Sequence, residues 1–196
     1  MYGMINRAVK DLIVERFGAD TWDRIRHKAG VTETEFLSME QYDDATTYSL
    51  VAASSEELGV SAEEILQAFG EYWIEYTGAA GYGEIMRAAG NSLPEFLGNL
   101  DQLHTRIRFG MPQLRPPSFR VSEEADGSLL LRYTSHREGL APLVVGLVKG
   151  LAKRFGETAE VSLISPRSET QSYDEFRVVR HPAEATATEP AGSSAG

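Results

Sequence analysis

Around residues 110–119, GMPQLRPPSF, the period of the apolar residues changes, and this change constrains the fold more than any other feature of the chain. Upstream, apolar residues recur at intervals of three and four, the repeat of an amphipathic helix; downstream they alternate, as in half-buried strands. Pro112, Pro116 and Pro117 suit neither element, because proline lacks the backbone donor and fixes φ, so the stretch reads as a rigid connection. The expected fold class is therefore α+β, a helical half followed by a β-sheet half with one packed helix.

In the helical half, Ile5, Val9, Leu12 and Ile13 line a first helix ended by Gly18. A second runs through DTWDRIRHKAG, and YDDATTYSLVAASSEELG makes a third, closed by Gly59. Ser61 and Glu64 form a capping box for VSAEEILQAFGEYWIEYTG, whose inner face is Ile65, Leu66, Phe69, Tyr72, Trp73 and Tyr76. A short YGEIMRAAG helix follows, then a single helix over residues 91–110, NSLPEFLGNLDQLHTRIRFG, with Ser92 and Glu95 as its capping box. In the sheet half, SFRVSEE and LLLRYTSHR pair around Asp126-Gly127 as a hairpin. GLAPLVVGLVKGLAKRFG is a helix, and AEVSLIS and YDEFRVVRH are two further strands. Residues 182–196 are low in complexity and expected to be a disordered tail or linker, leaving one domain over 1–181.

A net charge of −10 argues against a nucleic-acid surface, which needs clustered Lys and Arg. The chain has no cysteine, so disulfides, thiolate catalysis and Cys-based zinc sites are excluded. The charge-broken N-terminus is no secretory signal, and no apolar run approaches the ~18 residues of a membrane span. A cytoplasmic chain without membrane or nucleic-acid partners is expected.

Two groups of residues carry chemistry. His104 lies on the apolar stripe of Phe96, Leu97, Leu100, Leu103 and Ile107, where an unpartnered imidazole is costly. A core histidine bonded to a carbonyl satisfies that position; so does a metal ligand, since neutral imidazole binds metals. No His, Cys or acidic cluster stands at zinc spacing around it, so the other donors to such a metal belong to a cofactor. In RYTSHR, strand alternation puts Tyr133, Ser135 and Arg137 on one face, able to clamp a carboxylate or phosphate, or else to make a solvated strand end. Together the two groups ask for a flat apolar ligand bearing a metal and carboxylates, and haem fits that description. Three rivals are weaker. A phosphotransfer histidine needs solvent, a haem-free carboxylate- or lipid-binding module leaves His104 without purpose, and a hydrolase lacks a nucleophile motif.

These residues also resemble the H-NOX family, the haem–nitric oxide/oxygen-binding domains related to the sensor domain of soluble guanylate cyclase. The resemblance rests on MYGMI, LDQLHTRI around His104, PQLRPP, and Y-x-S-x-R at Tyr133, Ser135 and Arg137. It implies haem b (protoporphyrin IX iron) between the helical and sheet subdomains, with 1–60 as the distal part and 61–181 as the cradle. It makes His104 the iron ligand and Tyr133, Ser135 and Arg137 the propionate triad. Pro116 presses on the porphyrin, Ile5 and Leu147 line the pocket, and Met1 lies close to the haem. The gas pocket is Trp73, Leu143 and Thr77. In O₂-binding members a tyrosine on the helix after the triad donates to bound O₂; the matching residue here is Leu143, which cannot. The indole of Trp73 is a potential donor, and Tyr72 and Tyr76 flank it. The implied function is a non-enzymatic gas sensor that binds NO and CO but holds O₂ poorly, with an O₂-binding haem domain as the alternative. Its implied partner is a histidine kinase or a cyclic-di-GMP enzyme.

Overall fold

The structure is a computed structural model that describes residues 1–182. Of the expected tail, Pro182 closes the last strand and the remainder lies outside the described residues. Among the described residues, helices come first and an antiparallel sheet second, as the change of period requires.

Helices α1 (Gly3–Phe17), α2 (Ala19–Lys28) and α3 (Asp44–Leu58) pack around Val9, Leu12, Ile13, Trp22, Ile25 and Leu50. Each such side chain is worth about 1.5–3 kcal/mol when buried. The Asp43 side chain accepts from the Ala45 N–H at 2.9 Å to cap α3, and Gly59, at φ 67°, ends it in the left-handed region that glycine enters without strain.

Helix α4 (Ala62–Thr77) opens with both arms of the capping box: the Ser61 hydroxyl accepts from the Glu64 N–H, and the Glu64 carboxylate accepts from the Ser61 N–H at 2.9 Å. It buries two faces where the sequence marked one. Phe69 belongs to the core of α1–α3, Ile74 belongs to the core under the sheet, and Trp73 packs against both. The second face rests on helix α8 (Ala141–Arg154) along a seam of glycines. A Cβ on Gly70 would lie 2.7 Å from the Leu147 nitrogen, and one on Gly146 would lie 2.8 Å from the Gln67 carbonyl carbon. Past Thr77 the chain makes a wide π-type turn over Gly78–Tyr82 into α5 (Gly83–Arg87).

The single helix expected over 91–110 is two: α6 (Leu93–Gly98) and α7 (Leu100–Arg108). Asn99 separates them at ψ 3°, with its side-chain amide donating to the Ala89 carbonyl at 2.9 Å. A short polar side chain that bonds backbone elsewhere competes with helix continuation. The capping box is half made as well. Ser92 accepts from the Glu95 N–H, but the Glu95 carboxylate accepts from Asn91 instead.

Strands β1 (Ser118–Glu123), β2 (Leu129–Thr134), β3 (Glu157–Ser165) and β4 (Asp174–Pro182) form a sheet in the order β1-β2-β4-β3, all neighbours antiparallel. Phe119, Leu129, Leu131, Tyr133, Phe176 and Val178 face inward onto Val144, Val148 and Leu151 of α8. β2 stops at Thr134, so strand alternation does not orient Ser135 and Arg137, contrary to expectation; other contacts hold them.

Candidate functional site

A cavity of about 290 Å³ lies where α1, α4, α7, α8 and the inner end of the sheet meet. Every position singled out in the sequence lines it: His104, Tyr133, Ser135 and Arg137, then Pro116, Ile5, Met1, Leu147, Trp73, Leu143 and Thr77.

His104 reaches the cavity because the break at Asn99 gives α7 a direction of its own. Its ring stands 6.3 Å from Phe119, and its Nδ1 is buried without a hydrogen-bond partner. The Pro117 carbonyl lies near the ring without completing a hydrogen bond to Nδ1. Burial pushes its pKa below the ordinary imidazole value, and nearby Asp101 and the Pro117 backbone offset this only in part. The ring is thus neutral at pH 7, the form that ligates metals. Asp101 is otherwise engaged: its carboxylate accepts from the Ser118 hydroxyl at 2.6 Å and the Phe119 N–H at 3.0 Å, tying α7 to β1. Among the described residues no group of three or more His, Cys, Asp or Glu could hold a metal.

Tyr133 is 2% exposed, and burial raises its hydroxyl above the usual tyrosine value, with Ser135 and Arg167 countering. Arg137 does not simply end a strand in solvent. Its Nε and Nη2 donate to the Asp44 carboxylate at 2.7 and 3.3 Å, and its Nη1 donates to the Arg115 carbonyl at 3.1 Å. Those three bonds leave two of the five guanidinium N–H groups uncommitted. Asp44 also holds the N-terminal ammonium at 2.7 Å. Burial alone would raise its pKa, but the hydrogen bonds from Arg137 and the ammonium outweigh it and bring the value to about 2. No local pattern marks Asp44 as a partner, since 93 residues separate it from Arg137.

On the α4 and α8 side, the Thr77 hydroxyl is committed to its own helix, donating to the Trp73 carbonyl at 2.7 Å. The Trp73 ring stacks on Tyr76 with centroids 5.8 Å apart. Tyr72 and Tyr76 turn toward α1 and do not line the cavity. Burial, with Glu15 and Asp11 close by, pushes Tyr72 up to about 12, and burial and Asp11 raise Tyr76.

Comparison with known proteins agrees with this arrangement. The sequence model of the family described as Haem-NO-binding matches residues 2–163. Soluble guanylate cyclase gcy-35 of Caenorhabditis elegans is 36% identical over 174 residues, covering 86% of this chain and 25% of that protein. The chain thus spans about a quarter of the length of such relatives. An H-NOX protein from S. oneidensis superposes with a TM-score of 0.82 at 18% identity, covering 92% of this chain and 99% of that one. One from K. algicida gives 0.78 at 23% identity, covering 94% and 99%. These two likenesses concern the fold.

Proposed function

The chain belongs to the Haem-NO-binding family, whose domains bind haem and sense gas without catalysis of their own, and from that premise we propose how this chain's residues perform that role. His104 is the protein ligand to the iron, and Tyr133, Ser135 and Arg137 bind the propionates. The observation that carries this reading is one cavity lined both by a neutral imidazole whose Nδ1 has no hydrogen-bond partner and by a partly free guanidinium beside two hydroxyls. A neutral imidazole suits ligation of a metal, and charge-assisted bonds to carboxylates suit the guanidinium. Met1, Ile5, Pro116 and Leu147 close the space between, with residues 1–60 as the distal part and 61–181 as the cradle. Bound there, ferrous haem supplies the site at which the gas binds.

The gas preference follows from donors. Bound O₂ takes on negative charge and gains from a hydrogen bond, whereas NO and CO gain little. Leu143 has no donor, the Thr77 hydroxyl is committed to a carbonyl, and Tyr72 and Tyr76 face α1, which leaves the Trp73 indole as the one free donor among the residues assigned to the gas pocket. The pocket therefore favours NO and CO over O₂. His104 would hold the iron from α7, and the Asp101 bonds to Ser118 and Phe119 would couple any movement of α7 about Asn99 to β1. The relatives are guanylate cyclases, which favours a nucleotide cyclase as the output over the histidine kinase or cyclic-di-GMP enzyme expected earlier, and a cytoplasmic location accords with it.

Absorption spectra of the reduced protein under nitrogen, O₂, CO and NO test this reading. A Soret band that moves with CO and NO but not with O₂ is expected; a stable O₂ complex overturns the preference, and no Soret band after added haemin overturns the whole reading. Leu143→Tyr introduces a hydroxyl on the pocket wall and is expected to produce an O₂ complex, whereas Trp73→Phe, which removes the indole donor together with part of the ring that stacks on Tyr76, is expected to leave the order of gases unchanged.

A further inference from the structure

We propose that Arg167, on the connection between β3 and β4, is the positioning residue of the carboxylate clamp, locked in turn by Asp174. This rests on the reading that the clamp binds the haem propionates. One guanidinium touches all three clamp residues. Its Nη1 donates to the Ser135 carbonyl at 3.0 Å and to the Arg137 carbonyl at 3.1 Å, and its carbon stands 5.9 Å from the centre of the Tyr133 ring. The rest of Arg167 is fixed by Asp174, which accepts from Nε at 3.0 Å, Nη2 at 2.9 Å and the Arg167 backbone N–H at 2.8 Å.

Such a staple is needed because β2 ends at Thr134. Beyond it the backbone of Ser135 and Arg137 has no strand neighbour, and carbonyls near a buried wall require donors. Arg167 supplies them from the far side of the loop, while Asp44 and the Arg115 carbonyl hold the Arg137 side chain from the near side. Asp174 is 5% exposed, so the pair is anchored in the sheet. Arg167 does not line the cavity, which makes its action indirect: it sets where Ser135 and Arg137 stand. Both Arg167 and Asp174 lie beyond residue 163, where the family match stops.

The test compares two probes, haemin and haemin dimethyl ester, which lacks free carboxylates. Each is loaded into the full chain, and its loss to excess apomyoglobin is timed. Arg167→Ala is expected to speed haemin loss about tenfold, the loss of roughly one charge-assisted bond, and to leave the ester's rate unchanged. Arg167→Lys keeps the charge but cannot fork, and is expected to fall in between. Arg177→Ala, which breaks only an exposed pair with Asp126, should match the unaltered protein. Equal acceleration of both probes, or of neither, overturns the proposal by making Arg167 merely structural or idle. If Arg167→Ala does not fold, Arg167→Lys and Asp174→Asn decide by the same comparison of probes. Should the unaltered chain hold neither probe, the haem reading itself fails; should it release both at one rate, the clamp assignment fails.

Discussion

Gly146→Ala is expected to destabilise the domain by at least about 3 kcal/mol, at or beyond the upper end of ordinary overpacking. The added methyl would fall 2.8 Å from the Gln67 carbonyl carbon and nearer still to its oxygen, both backbone atoms of α4. No rotamer change relieves a clash with backbone, so the two helices must move apart. Gly70 meets the facing helix in the same way, and Gly150 more loosely, with the Glu71 carbonyl oxygen 3.0 Å from where its Cβ would stand. A small domain has only about 5–15 kcal/mol in total. Separation also displaces Leu143 and Leu147 from Trp73, which together form one wall of the cavity. Urea denaturation read by circular dichroism measures the loss. Gly98→Ala serves as the comparison, because its methyl would meet only Val121 at an ordinary 3.7 Å, and it should be neutral. A Gly146→Ala midpoint within experimental error of the unaltered protein would show that the seam yields.

His104→Leu should abolish haem uptake and at the same time leave the haem-free domain as stable as before, or more so. Leucine keeps most of the volume and removes the buried Nδ1 that nothing satisfies. The pH dependence gives a second signature. Because burial depresses the His104 pKa, the unfolded chain binds a proton that the folded one refuses as pH drops below about 6.5. The haem-free domain therefore loses stability as pH falls from there toward the folded pKa, and His104→Leu should remove that part of the slope. Thermal melts between pH 5 and 8, with haemin titrations, measure both. A His104→Leu protein that melts far lower yet still takes up haemin would make His104 an ordinary core residue.

Periodicity made most of this architecture legible. The helices, the hairpin and the last two strands sit where apolar spacing and caps put them, because those signals are local. The errors share a different origin. Asn99 divides α6 from α7 with a bond to Ala89, ten residues away, and past the end of β2 the Ser135 carbonyl is bonded by Arg167, 32 residues on, and not by a strand neighbour. The glycines of α8 carry no such local signal, and their purpose is clear only once α4 lies against them. At the site, the residues were legible by type, but Asp44, Arg167 and Asp174 were not, since charged side chains in loops and helix caps carry no spacing that names their partners.

The Arg167 staple also fixes when in the life of the chain the clamp can exist. Asp44 lies 93 residues from Arg137, and Arg167 lies 32 from Ser135, so both ties close long loops. Contacts of such separation are entropically slow to form, whereas helices assemble quickly from near neighbours. During synthesis the helical half leaves the ribosome first, and carboxylate capture has to wait until residue 174 follows. On the proposed reading, a full grip on the propionates is therefore among the last competences the domain acquires, and a nascent chain that still lacks β4 would hold haem more loosely than the finished one.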